Sequence, residues 1–241
     1  MQYDEIVKAW DIKDLEYNTN AWDVNLAYNS CKIENENVTY FDTREIFEHD
    51  CVSNYTGDLR TIFEIRNTRD ALLLCKDAWR NARDLDAELL KDLHRELTKN
   101  TYDKKRWELG ERPGEYKRHD FVTGRDEVGA PPEDVEEEIE ELLEELNVVR
   151  DPLTIAAYFH AKFENIHPFA DGSGRVGRLA MNYLLVRRGH PPVTIFAEDK
   201  RVYYDALEAW DTRQDLEPLK QVLREQTVKT WGRWSKSHVF G

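Results

Sequence analysis

The feature that most constrains this chain is a break between two apolar-striped segments. "DPLTIAAYFHAKFENI" places Ile155, Phe159 and Phe163 at i, i+4 and i+8, the spacing of one helical face. After "HPFADGSG" comes a second run, Arg175–Arg188, which turns Val176, Leu179, Tyr183 and Leu184 inward. Gly189 is a natural terminator of that run, and Pro191 and Pro192 forbid its continuation. The local expectation is helix–loop–helix, with the glycines of the loop opening the second helix.

The same periodicity recurs along the chain. "TNAWDVNLAYNSCKIEN" puts Trp22, Leu26 and Ile33 on one face, with Thr19 or Asn20 as N-cap and Asn35 as terminator. Thr61–Lys99 predicts two helices. "PPEDVEEEIEELLEELN" predicts another, buried through Val135, Ile139, Leu142 and Leu146, its glutamates forming a solvated face. Further helices are expected in "EDKRVYYDALEAWDTR" and "LEPLKQVLREQTVKTWGRW". Between Gly110 and Val135, Gly and Pro punctuation around Phe121, Val122 and Thr123–Gly124 reads as a short β-hairpin. The expected class is mainly α with one small hairpin, and no long linker divides the chain.

Charge narrows the partners. Forty-eight acidic against 34 basic residues give a formal charge of −14 over 241 residues, so no general attraction to nucleic acid or anionic membrane is expected. A local basic pocket is still allowed by the closeness in sequence of Arg175, Arg178, Arg187 and Arg188. No apolar run reaches the length of a membrane span. The segment "MQYDEIVKAW" has neither the basic start nor the apolar core of a leader. Three cysteines without a CxxC spacing suggest neither a disulfide framework nor a zinc cluster, and a reducing cytoplasm is the expected setting.

Three chemistries compete for His167 to Arg178. Gly172-Ser-Gly174-Arg-Val-Gly177 formally matches a dinucleotide fingerprint, but that pattern needs a preceding strand and βαβ units, which the chain lacks. His160, His167 and His190 have no HExxH or cysteine beside them to complete a metal set. The third reading is a phosphate cradle. Gly172 and Gly174 leave the backbone bare, their N–H groups open a helix, and Arg175 and Arg178 project on one side of it. Asp171 is a hard carboxylate of the kind that holds Mg²⁺ together with substrate phosphates. His167 stands ready to take a proton from a nucleophile. A lone His or Arg would read as capping and pairing, whereas this convergence favours a nucleotide site.

"HPFADGSGRVGR" resembles the signature HPFx[DE]GN[GK]RxxR of the Fic-domain family. "LHREL", "GEYKR", "APPEDVEEEIEELLEEL" and "HAKFENI" extend the resemblance over roughly Leu93 to Trp210. It implies a Fic-type helical bundle that transfers AMP from ATP to a Ser, Thr or Tyr hydroxyl of a target protein, with Mg²⁺ as cofactor; self-modification is also allowed. It implies that His167 is the base and Asp171 the metal ligand. Gly172, Ser173 and Gly174 would form the anion hole, with Arg175 and Arg178 on the phosphates. Tyr116, Lys117, Phe121 and Val122 would belong to a flap that docks the target, and Tyr203 or Tyr204 would border the adenine. Ser173 departs from the family's Asn; a serine hydroxyl donates one hydrogen bond where Asn donates two, and phosphate binding is expected to survive. The resemblance divides the chain into an N-terminal helical region 1–92, a catalytic core 93–210 and a helical extension 211–241, all in one unit.

"SCKIEN" fits the motif [ST]xxxE[GN] found as a brake in many members of this family. Ser30 and Glu34 share a helix face, with Asn35 after them. The resemblance implies that Glu34 pairs with Arg178 and inhibits in cis. Alternatives are transfer of another group such as UMP or phosphate, removal of AMP by the same site, and a non-catalytic nucleotide-binding regulator, which Ser173 alone favours.

Overall fold

The computed structural model describes residues 1–11, 13–121, 128–148 and 150–232, the side chains of 13–20 excepted. It is built of α-helices: α1 (Tyr3–Ala9), α2 (Lys13–Glu34), α3 (Tyr40–His49), α4 (Leu59–Arg80), α5 (Ala87–Thr98), α6 (Lys104–Glu108), α7 (Val135–Glu145), α8 (Pro152–Ile166), α9 (Ser173–Arg187), α10 (Lys200–Arg213) and α11 (Glu217–Trp231). No helix is long and apolar enough to cross a membrane among the described residues.

The two segments that frame "HPFADG" become α8 and α9, and they pack on each other at the centre. Helices α4 and α5 lie against α9, while α7, α10 and α11 lie against α8. The periodic residues account for this. Ile155, Phe159, Phe163, Val176 and Tyr183 are fully buried, as are Val135, Ile139 and Leu142 of α7 and Leu89, Leu90 and Leu93 of α5. Each such side chain contributes roughly 1.5–3 kcal/mol by leaving water. Asp151 caps α8 by accepting from the Thr154 N–H at 2.8 Å, and Pro152 opens its first turn. Gly189 ends α9 at a φ of 73°.

The structure corrects three expectations. Helix α2 begins at Lys13, not after a cap at Thr19 or Asn20; the residues before Trp22 contain no Gly or Pro and simply prolong the helix. It ends at Glu34, as Asn35 signalled. Arg187 and Arg188 do not join a basic pocket with Arg175 and Arg178. They lie at the far end of the 15-residue helix α9, where Arg187 pairs with Asp84 at 3.0 Å.

The third concerns the hairpin, since no strand occurs among the described residues; Val122 and the Thr123–Gly124 turn lie outside them. Two backbone N–H groups of the flanks bond to the end of α8 and the loop after it. The Lys117 N–H donates to the Pro168 carbonyl and the Ala130 N–H to the Ile166 carbonyl, each at 2.9 Å. A strand ladder needs those donors, so spending them on the loop precludes it there.

Candidate active site

The loop is a tight turn with two unusual backbone positions. His167 is the C-cap of α8 with φ 48°, and Gly172 is the N-cap of α9 with φ 88°. At Gly172 a Cβ would stand 2.8 Å from Thr98 Cγ2, so glycine is required on both counts. Ser173 braces the turn: its hydroxyl accepts from the Phe169 N–H at 3.1 Å and donates to the Phe169 carbonyl at 3.3 Å. That side chain is buried and committed; toward an anion Ser173 has its backbone N–H to offer.

The first turn of α9 points unspent donors into the site. Arg175 is 3% exposed. Its Nη2 reaches Asp171 Oδ1 at 3.3 Å. Neither Nε nor Nη1 has a hydrogen-bond partner among the described residues, and Glu64 stands 3.8 Å from Nη1. A buried guanidinium with idle donors at a helix N-terminus is arranged for an anion.

Arg178, one turn on, is occupied. Its Nη2 donates to Glu34 Oε1 at 2.7 Å and to the Ser30 carbonyl at 3.0 Å, and its Nε donates to Ser30 Oγ at 3.1 Å. Ser30 and Glu34 are therefore in contact with α9. Burial opposes the charge on Arg178, but Glu34 outweighs it and holds the guanidinium firmly protonated. Glu34 also lies over the cradle, since a Cβ on Gly174 would stand 2.6 Å from its Oε1. Asn35 turns away to α4 and donates to Glu64 Oε2 at 2.8 Å and to Thr61 Oγ1 at 3.1 Å.

Burial, with Lys117 nearby, pushes the His167 imidazole down to about 4, so the ring is neutral at pH 7 and can accept a proton. Asp171 is the opposite case. Burial would raise its carboxyl, yet Arg175 and Arg60 more than reverse this and keep it ionised. No group of three or more His, Cys, Asp or Glu is placed to hold a metal among the described residues. One carboxylate beside an anion cradle still fits Mg²⁺, which keeps waters and takes phosphate oxygens for its other ligands.

Of the flap residues, Tyr116 packs on Phe169 at 5.5 Å. Lys117 is buried, with its ammonium on the Val128 carbonyl at 2.8 Å. The Phe121 ring lies 5.9 Å from the Arg106 guanidinium. Tyr203 is fully buried and its hydroxyl meets His160 Nε2 at 2.7 Å; its ring is core. Tyr204 beside it is exposed.

Sequence reasoning missed His94, Arg60 and Glu64. The His94 ring stacks on Phe169 with centroids 3.8 Å apart and planes 4° apart. The Gly114 N–H donates to its Nδ1 at 2.8 Å, which leaves the proton on Nε2 to donate to the Asp171 carbonyl at 2.9 Å. His94 thus fixes the backbone on which Asp171 sits. His94→Ala is expected to cost about 3 kcal/mol, from a cavity and orphaned buried polar groups, read from the urea midpoint. A usable signal existed: His94 falls on the same face as Leu90 and Leu97 in "ELLKDLHRELT", where a histidine is buried with the stripe.

These histidines set an acid limit. Burial holds His94 and His160 down to about 3, and His167 to about 4, against 6.5 for the free group. Below pH 6.5 the unfolded chain therefore binds three protons that the fold excludes. Burial pushes Glu164 up to about 8 from 4.5, so over the same range the fold binds one proton that the unfolded chain does not. The net excess of about two protons on the unfolded side makes stability fall with acid. The expected loss is about 2 kcal/mol between pH 6 and pH 5, measured by urea unfolding at each pH. A flat profile would contradict neutral burial of these rings.

Residues 84–185 match the Fic/DOC family. A Protein adenylyltransferase Fic from Culex quinquefasciatus is 37% identical over 99 residues, 39% of this chain and 20% of that protein. The chain thus spans about a fifth of that relative's length. Among solved structures, a Fic-domain-containing signaling protein from Bacteroides thetaiotaomicron superposes with a TM-score of 0.80 at 25% identity, covering 95% of this chain and 92% of that one. Fic-1 from C. elegans also gives 0.80, at 22% identity, over 98% of this chain and 69% of that chain, a likeness of fold alone. The stretch that matches the Fic/DOC family, residues 84–185, contains the loop between α8 and α9 and both arginines that follow it.

Proposed function

We propose that the chain is a protein adenylyltransferase that moves AMP from ATP to a Ser, Thr or Tyr hydroxyl of a target protein, and that it rests in an inhibited state. The carrying observation is the pair of buried arginines one turn apart on α9, one with idle donors and one held by Glu34. The shared family and the adenylyltransferase name of its relatives support the reaction.

In this reading 93–210 is the catalytic core, 1–92 carries the brake and 211–241 is an extension. The backbone N–H groups at Gly172–Gly174 and the free side of Arg175 bind phosphate oxygens. Arg178 holds the γ-phosphate once Glu34 leaves. The target hydroxyl oxygen attacks the α-phosphorus, His167 takes the hydroxyl proton, and the bond from that phosphorus to the pyrophosphate oxygen breaks, with pyrophosphate leaving. Asp171 would hold Mg²⁺, which when bound neutralises charge on the phosphates. The target segment lies along the Tyr116–Phe121 flank. The acidic surface matches a protein substrate rather than a nucleic acid, and the work is cytoplasmic.

Incubating the Glu34→Gly chain with ATP and Mg²⁺ and weighing it intact, then repeating with lysate proteins, tests this. An adenylyl adduct on a protein is the expected result. Nucleotide binding with no adduct anywhere would favour a regulator.

A further inference from the structure

Both oxygens of Asp171 are already taken by guanidinium groups, and they come from different directions. Arg175 approaches Oδ1 from within α9 and is buried, 3% exposed. Arg60 approaches Oδ2 from the first turn of α4, 111 residues away in sequence, at the shorter distance of 2.6 Å. The Arg60 side chain is 37% exposed. It is steadied by Glu64, whose Oε1 accepts from Arg60 Nε at 3.0 Å and whose Oε2 accepts from Asn35.

We infer that Arg60 occupies the divalent-cation side of Asp171 in the resting protein and must withdraw before a metal ion can bind that carboxylate. The inference rests on the nucleotide reading above and adds a residue to it. A hard divalent ion binds a carboxylate oxygen at about 2.0–2.1 Å. A guanidinium 2.6 Å from the same oxygen would sit within a few ångströms of that ion, two cations on one half-buried anion. Arg175 has no room to leave, whereas Arg60 reaches solvent and does. Glu64 supplies a reason for it to stay, since it binds Arg60 on one oxygen and the residue next to Glu34 on the other. The metal side and the γ-phosphate side of the cradle are thus both held by contacts that run through the end of α2.

Manganese binding followed by electron paramagnetic resonance of the free ion tests this without turnover. Mn²⁺ is titrated into the Glu34→Gly chain with and without α,β-methylene-ATP, and then into the same chain carrying Arg60→Met or Arg60→Lys. Arg60→Met is expected to tighten Mn²⁺ at least tenfold, Arg60→Lys to lie between it and the parent, and Asp171→Asn to erase the gain. Unchanged or weaker Mn²⁺ binding in Arg60→Met, with thermal melting showing the variant folded, overturns the inference. A gain that appears without nucleotide, while a fluorescent ATP analogue fails to bind, upholds the role of Arg60 and removes the transferase reading instead.

Discussion

Replacing His167 by asparagine is expected, on the proposed transferase reading, to lower AMP transfer by two to four orders of magnitude and to leave nucleotide affinity within a few-fold of the parent. The size follows from the usual worth of a placed general base. The separation follows from geometry: the cradle is made by the Gly172–Gly174 backbone and the α9 arginines, and His167 lies on the other side of the turn, as the C-cap of α8. Asparagine is the better probe than alanine. The position has φ 48°, a left-handed conformation that Asn adopts more readily than Ala. It also packs closely, with His167 Cβ 2.7 Å from where a Cβ on Gly129 would lie. Radiolabelled ATP gives the rate and a fluorescent analogue the affinity. Equal labelling by variant and parent would remove His167 from the chemistry.

What could be read without coordinates was whatever repeats at short range. The stripes of α7, α8 and α9 each state one buried face in consecutive turns, so their apolar residues were named correctly. The grouping of His167, Asp171, Gly172, Gly174, Arg175 and Arg178 was legible too, because they occupy one turn and the helix start after it. Arg60 and Glu64 were not legible. Each is an ordinary charged residue on an amphipathic helix; Arg60 takes its meaning from Asp171, 111 residues away, and Glu64 from joining Arg60 to Asn35. Short helices such as α6 escaped because five residues carry no period. The hairpin expectation met another limit: no strand forms among the described residues, because Gly and Pro signals do not say where the N–H groups go, and Lys117 and Ala130 give theirs to Pro168 and Ile166. Glu34 opposite Arg178 came from the resemblance; spacing alone shows a helix face and does not name what faces it.

Glu34→Gly should raise labelling ten- to hundredfold and make the protein's melting temperature depend on ATP. On the proposed reading a γ-phosphate displaces Glu34 from Arg178, and a hydrogen bond between charged groups is worth about 1.5–3 kcal/mol, which is that range of rate or affinity. The same substitution clears the space above Gly174, where Glu34 Oε1 now lies. It has a structural cost too. Arg178 is 2% exposed and keeps its bonds to Ser30, while the glutamate it loses is more than a third exposed. The free variant should therefore lose only about 1–2 kcal/mol, less than the full penalty for orphaning a buried charge. Nucleotide then restores the missing anion. At a hundred times its dissociation constant ATP adds about 2.7 kcal/mol to the variant and little to the parent. Glu34→Gln, which keeps the shape and drops the charge, belongs between the two. If ATP shifts the melting of parent and Glu34→Gly alike and both label proteins at the same rate, the Glu34–Arg178 contact is a surface-edge ion pair with no hold on the site.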